Sequence, residues 1–223
     1  MVEVVVRSSI GLETQMKSQR ELSKLERGTF QLNTKTFNVS VEPSSSWIAK
    51  RVIDMIKPMA AVKKLSLSLV LTPDLPSYAV GDQEKLMQIV LNVVGNAVKF
   101  TKEGCVSVTV SVAHPESHKD WRSFKLFLVS NEDHFYLKVQ VEDFGRGIDP
   151  QEITKIFNRF KDPQVMSNRS TNSGFGLAIS KQLPKLLGGR TWVESDGFRG
   201  CTAAFILNLG LLMNFSNMLE EVG

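Results

Sequence analysis

The sequence predicts an α/β or α+β fold, with one sheet covered by helices. Helical and strand periodicities alternate from about residue 45 to residue 210. Two period-2 runs are strongly one-sided: Val106, Val108, Val110 and Val112 share a face, as do Phe135, Leu137, Val139 and Val141. Proline, serine and glycine clusters punctuate the periodic runs, at EPSSS (42–46), TPDLP (72–76) and the pair Gly188 and Gly189. A chain of 223 residues is long enough for one well-buried domain and an appendage.

The elements follow in order. Residues 1–27 carry Leu12, Met16, Leu22 and Leu25 among many charges, a helical pattern that RGTF (27–30) breaks. Helical spacing resumes over 47–59 with Trp47, Ile48, Val52, Ile53, Met55 and Ile56. KLSLSLVL (64–71) alternates apolar and polar residues, which predicts a strand buried on one face. Asp82 is placed to cap a helix over 83–100. Strands over 105–112 and 135–141 flank a polar insert, 114–134, whose WRSFKLFLVS core has no assigned element. Pro150 suits the first turn of a helix over 150–160, and 162–172 reads as a polar loop. A helix over 175–187 is closed by Gly188 and Gly189, and 191–194 with 201–209 form a final hairpin pair.

Composition excludes several classes. Net charge is +4, with lysines and arginines interleaved with acids, so no basic block favours nucleic acid. Cys105 and Cys201 are far apart and form no CxxC, which fits a reducing compartment better than a zinc site or disulfide framework. No apolar run reaches membrane-spanning length, so direct membrane insertion is not expected and a cytoplasmic location is. There is no GxxxxGK[ST], which rules out a P-loop.

Three stretches carry the chemistry. In LNVVGNAVKFTKEG (91–104), Asn92, Asn96 and Lys99 fall at i, i+4 and i+7 and form one polar stripe. Leu86, Val90, Val93, Val94 and Ala97 face the opposite way. Carboxamide oxygens hold hard cations, an ammonium meets anions, and magnesium on nucleotide phosphates needs few protein ligands. Taken alone, the stripe reads better as an exposed polar face. VEDFGRGIDP (141–150) offers Asp143 as an acceptor for an exocyclic amine and Gly145 and Gly147 for close backbone approach. NSGFGLAIS (172–180) sets Gly174 and Gly176 where a loop enters a helix, a natural anion site. Each of the last two also reads as an ordinary turn or loop-to-helix junction.

Together and in this order, with IFNRF (156–160) between the second and third, they resemble the N, G1, F and G2 boxes of the ATP-binding domain shared by histidine kinases, gyrase-type topoisomerases, Hsp90 and MutL. NAVKFT and IFNRF point to the histidine-kinase branch. MIKPMAAVKKLSLSLVLTPDLPSYAVGDQEKLMQIVLNVVGNAVKFTKEG and ESDGFRGCTAAF are similar to the kinase domain of plant ethylene receptors, and the likeness runs from about residue 1 to 209.

The resemblance implies a two-layer α/β sandwich, a mixed sheet with helices on one face. It implies a remnant of the dimerisation hairpin and linker over 1–40, the catalytic domain over 41–210 and a tail over 211–223. It implies ATP and Mg2+ as ligands. Asn96 would hold the metal, and Asn92 and Lys99 would contact phosphates. Asp143 would hold the adenine amine, with Gly145, Gly147 and Ile148 bordering the base. Gly174, Phe175, Gly176 and Leu177 would face the phosphates. The expected activity is phosphoryl transfer from Mg-ATP to a protein histidine in two-component signalling. Expected partners are downstream signalling proteins and a homodimer or receptor partner engaged through the N-terminal helix. The parent receptors sit in the endoplasmic reticulum membrane with this domain in the cytosol.

Where hydrolytic relatives carry a glutamate, this chain has Asn92, which is no base at neutral pH; slow hydrolysis and transfer to another acceptor are expected. Three departures from the pattern stand out. His114, His118 and His134 do not sit in a phosphoacceptor-helix context, so autophosphorylation by this chain alone is not expected. Asn172 replaces a glycine and Phe175 a leucine, adding volume beside the nucleotide path. VSVEPSSSWIAK replaces a shorter family segment. A catalytically weak docking module of a truncated receptor is the alternative reading, and a gyrase- or Hsp90-like ATPase a third.

Overall fold

The computed structural model describes residues 20, 23–24, 27–39, 47–114, 133–149, 151–153, 175–195 and 197–212. Its elements are β1 (Lys35–Asn38), α1 (Trp47–Val62), β2 (Ser66–Leu71), β3 (Tyr78–Gly81), α2 (Gln83–Phe100), β4 (Cys105–Val112), β5 (His134–Asp143), α3 (Phe175–Leu186), β6 (Arg190–Glu194) and β7 (Cys201–Leu211). Nearly all of the expected N-terminal helix and the phenylalanine-bearing segment 156–160 lie outside the described residues, as does nearly all of the polar insert.

The seven strands form one mixed sheet in the order β1-β3-β7-β5-β4-β2, with β6 pairing β7. β6 and β3 share one edge of β7: Glu194 to Arg190 run beside Thr202 to Ile206, and Ala79 and Val80 take Leu211 and Gly210. Among the described strands only β2 and β4 pair in parallel, and α2 lies in the crossover between them. The expected mixed sheet is therefore present. Val106, Val108 and Val110 of β4, Leu137, Val139 and Val141 of β5, and Phe205, Leu207 and Leu209 of β7 all point into one core. The same core receives Leu86, Ile89, Val90, Val94 and Val98 of α2 and Leu183 of α3. Tyr136, Ile206 and Ala113 form a small second cluster on the opposite face, with Trp192 against it.

Most expected elements appear within a few residues of their expected ends. α1 runs through Pro58 and continues three residues past the expected end, with Ala60 buried on the inner face it shares with Ile56. β1 and β3 are additions. Each is only four residues long, too short for a clear alternation; β3 exists by pairing with β7 and β1, and β1 by pairing with β3. α3 closes as the glycine pair suggests: Gly188 takes φ +67 and the N–H of Gly189 donates to the Pro184 carbonyl at 2.7 Å.

Candidate nucleotide site

α2 is the spine of the site. Its first turn is capped by Asp82, whose Oδ1 accepts the Lys85 N–H at 3.0 Å. The other carboxylate oxygen accepts the Asn33 N–H at 2.8 Å, so one buried side chain fixes both the helix start and the segment ahead of β1. The apolar residues Leu86, Val90, Val93, Val94 and Ala97 are buried as their spacing predicts. Asn92 and Asn96 are partly buried and Lys99 is exposed. The stripe they form extends about 10 Å along the axis. Asn92 Nδ2 is buried and has no hydrogen-bond partner among the described residues. A buried amide donor without a partner is costly, and a ligand oxygen at this position would relieve it.

The far end of the stripe meets the turn after β5. Thr101, fully buried, ends α2; its N–H and its hydroxyl both reach the Ala97 carbonyl, at 3.0 and 2.7 Å. Asp143 closes β5 beside it. Its carboxylate accepts the Gly145 N–H at 2.9 Å, and the Cys201 N–H and the Thr101 side chain lie on its other sides and favour its ionised form. Burial nonetheless pushes this carboxyl above the ordinary aspartate value. Across the ladder, burial and then the charge of Asp143 push the Cys201 thiol up to about 12, so it stays protonated.

The glycines of this turn have packing reasons of their own. A Cβ on Gly145 would stand 2.8 Å from Asp143 Oδ1 and 3.1 Å from the Phe100 carbonyl oxygen. Gly147 takes φ +73, and a Cβ there would press on the backbone of Gly197 and Phe198 at 2.9 Å. Both glycines bring backbone against backbone in the wall that borders Asp143. Ile148 is partly buried, and its N–H donates to Ser195 Oγ at 2.9 Å. That hydroxyl also accepts the Gly197 N–H at 3.3 Å and donates to the Gly200 carbonyl at 2.7 Å.

Of the expected site residues, Asn92, Asn96 and Lys99 share α2, and Asp143, Gly145, Gly147 and Ile148 share the turn at its end. Phe175, Gly176 and Leu177 form the first turn of α3 as backbone, and Gly174 lies outside the described residues. Sequence reading missed four contributors. Thr101 braces Asp143, Ser195 ties the turn to the β6–β7 connection, and Gly200 (φ +79) presses its backbone on that of Asp143. Lys63 holds the end of α2. NAVKFT includes Thr101 and SDGFRG brackets Gly200, but their partners lie on distant strands. Among the described residues no group of three or more His, Cys, Asp or Glu is poised for a metal, and no helix is long and apolar enough to cross a membrane. A cation here would take few protein ligands, as Asn96 offers.

Residues 81–211, more than half of the chain and every element from α2 onward, match the model of the histidine kinase-, DNA gyrase B- and HSP90-like ATPases. The chain belongs to that family. Solved structures agree on the fold. Full-length ShkA in complex with AMPPNP superposes with a TM-score of 0.69 at 23% identity, over 96% of this chain and 39% of that one. The histidine kinase AdeS of Acinetobacter baumannii gives 0.57 at 18% identity over 96% of this chain and 84% of its own. The catalytic domain of the histidine kinase ThkA gives 0.53 at 17%, over 79% and 97%. This family member thus spans well under half the length of the full ShkA chain. ATP binding is the shared property of the family fold.

Proposed function

We propose that this chain is the ATP-binding catalytic domain of a sensor histidine kinase of ethylene-receptor type, serving phosphoryl transfer from Mg-ATP to a protein histidine. The observation that carries the reading is the unpartnered, buried Nδ2 of Asn92, on the helix that also presents Asn96 and Lys99 and ends against Asp143. Lys99 and the Asn92 amide would face phosphates, the Asn96 oxygen would hold Mg2+, and Asp143 would accept the base amine. Bound magnesium would neutralise phosphate charge during transfer. Asn92 cannot take a proton from water at neutral pH, which favours a protein acceptor over hydrolysis and argues against the gyrase- or Hsp90-like ATPase reading. Gly174, Phe175, Gly176 and Leu177 would face the phosphates.

The ethylene-receptor assignment rests on the likeness of 55–104 and 194–205 to those receptors. With it come a domain plan of 1–40, 41–210 and 211–223, a parent in the endoplasmic reticulum membrane facing the cytosol, dimerisation through the N-terminal segment, and downstream signalling proteins as partners. Neither described histidine sits on a helix: His134 opens β5 and His114 contacts Asp74 at 3.0 Å. In this reading the acceptor histidine would be supplied by another chain.

Calorimetry with a non-hydrolysable ATP analogue, with and without magnesium, tests the reading. Magnesium-dependent binding is expected, lost in Asn96→Asp and Asp143→Asn. Unchanged affinity in both variants would count against it, and no binding by a well-folded wild type would leave the docking-module alternative.

A further inference from the structure

We propose that Lys63 is a positioning residue for the nucleotide site, setting the separation between the Asp143 turn and the asparagine–lysine face of α2. The proposal rests on the nucleotide reading above. Lys63 follows α1 directly. Its place is set by a tight helix ending in which the Lys64 N–H donates to Ala61 at 3.0 Å and the Leu65 N–H to Ala60 at 2.9 Å. Lys64 occupies the left-handed position of that ending at φ +57, which glycine would fill without strain. The chain accepts that conformation, and Lys63 is thereby aimed at the last turn of α2.

The Lys63 ammonium donates to three carbonyls there: Val98 at 2.8 Å, Lys99 at 2.6 Å and Thr101 at 3.0 Å. A cation at a helix C-terminus also opposes the negative end of the dipole. The carbonyl it skips, that of Phe100, faces the other way and lies 3.1 Å from the Cβ position of Gly145. The last turn of α2 is thus held between Lys63 on one side and the Asp143 turn on the other, where the Phe100 carbonyl packs against Gly145. Lys63 touches neither Asp143 nor the asparagines. Its effect is on how far apart the two half-sites stand.

A ligand that spans both half-sites depends on that separation, whereas a ligand of one half-site does not. Lys63→Met keeps the side-chain length and removes the donors and charge. Calorimetry with the ATP analogue and NMR titrations with adenosine and with magnesium tripolyphosphate read the three affinities separately. The expected result is a roughly tenfold loss for the ATP analogue, about twofold or less for each fragment, and recovery in Lys63→Arg. Equal losses for all three would mean a structural role only and overturn the proposal. So would a loss shared by ATP and tripolyphosphate alone, which would make Lys63 part of the phosphate electrostatics, or an unchanged ATP affinity. If Lys63→Met does not fold, Lys63→Gln against Lys63→Arg makes the same comparison. A wild type that binds no ATP analogue would overturn the nucleotide reading itself; a binding wild type with an indifferent Lys63→Met overturns this proposal alone.

Discussion

Asp143 and Asn92 both carry a cost that the folded chain tolerates. Burial raises Asp143 despite the Gly145 N–H and other polar groups around its carboxylate, so the folded state binds that proton more tightly than the unfolded chain does. Ionised Asp143 therefore destabilises the fold, fully once pH exceeds its folded value. The penalty shrinks as pH falls through that value and is gone below the ordinary 3.8. Asp143→Asn should melt higher than wild type at pH 7, with the gap closing by about pH 4, while its ATP affinity falls. A lower melting temperature at pH 7 would show that the hydrogen bonds outweigh burial. Asn92→Leu removes the orphaned amide and should stabilise the domain by about 1 kcal/mol in urea unfolding, at the expense of nucleotide binding. Retained binding would remove Asn92 from the site.

Two elements converge on the site, and each is set by a side chain outside it. α2 begins at Asp82, which bonds Lys85 and Asn33 with its two oxygens. Asp82→Ala should cost about 1–2 kcal/mol for the cap alone, and more with Asn33 released. A loss under ~0.5 kcal/mol in denaturant melts would mean that water replaces both bonds. The turn after β5 is bound to the β6–β7 connection through Ser195, and Gly200 allows that connection to lie directly on the Asp143 backbone. The asparagine stripe was legible because a helix repeats every 3.6 residues, so Asn92, Asn96 and Lys99 align whatever surrounds them. The Lys63 clamp was not legible, because a lysine at the end of an amphipathic helix looks like any solvated charge until the α1–α2 packing is known.

The whole molecule couples these elements through one sheet and one core, so a ligand that spans α2 and the Asp143 turn should stabilise all of it. At a concentration one hundred times its dissociation constant, a nucleotide adds about 2.7 kcal/mol. That corresponds to a rise in melting temperature of roughly 5–10 °C for a domain of this size. Calorimetric scans with magnesium and the ATP analogue measure it; no shift at saturating concentrations would remove the basis for the proposed site.

By itself the sequence determined the period and polarity of the longer elements, the Asp82 cap, the αL ending at Gly188 and the order of the boxes along the chain, because these depend on residues within one or two turns of each other. The tertiary structure alone decided that β1 and β3 exist, that β6 and β3 share the edge of β7, that Thr101, Ser195 and Gly200 meet at the Asp143 turn, and that Lys63 holds the end of α2. Such four-residue strands are stable only in a ladder, and a hydrogen bond between Lys63 and Val98 joins positions 35 residues apart. Local propensity holds no record of such a contact; only the packed core brings the two ends together.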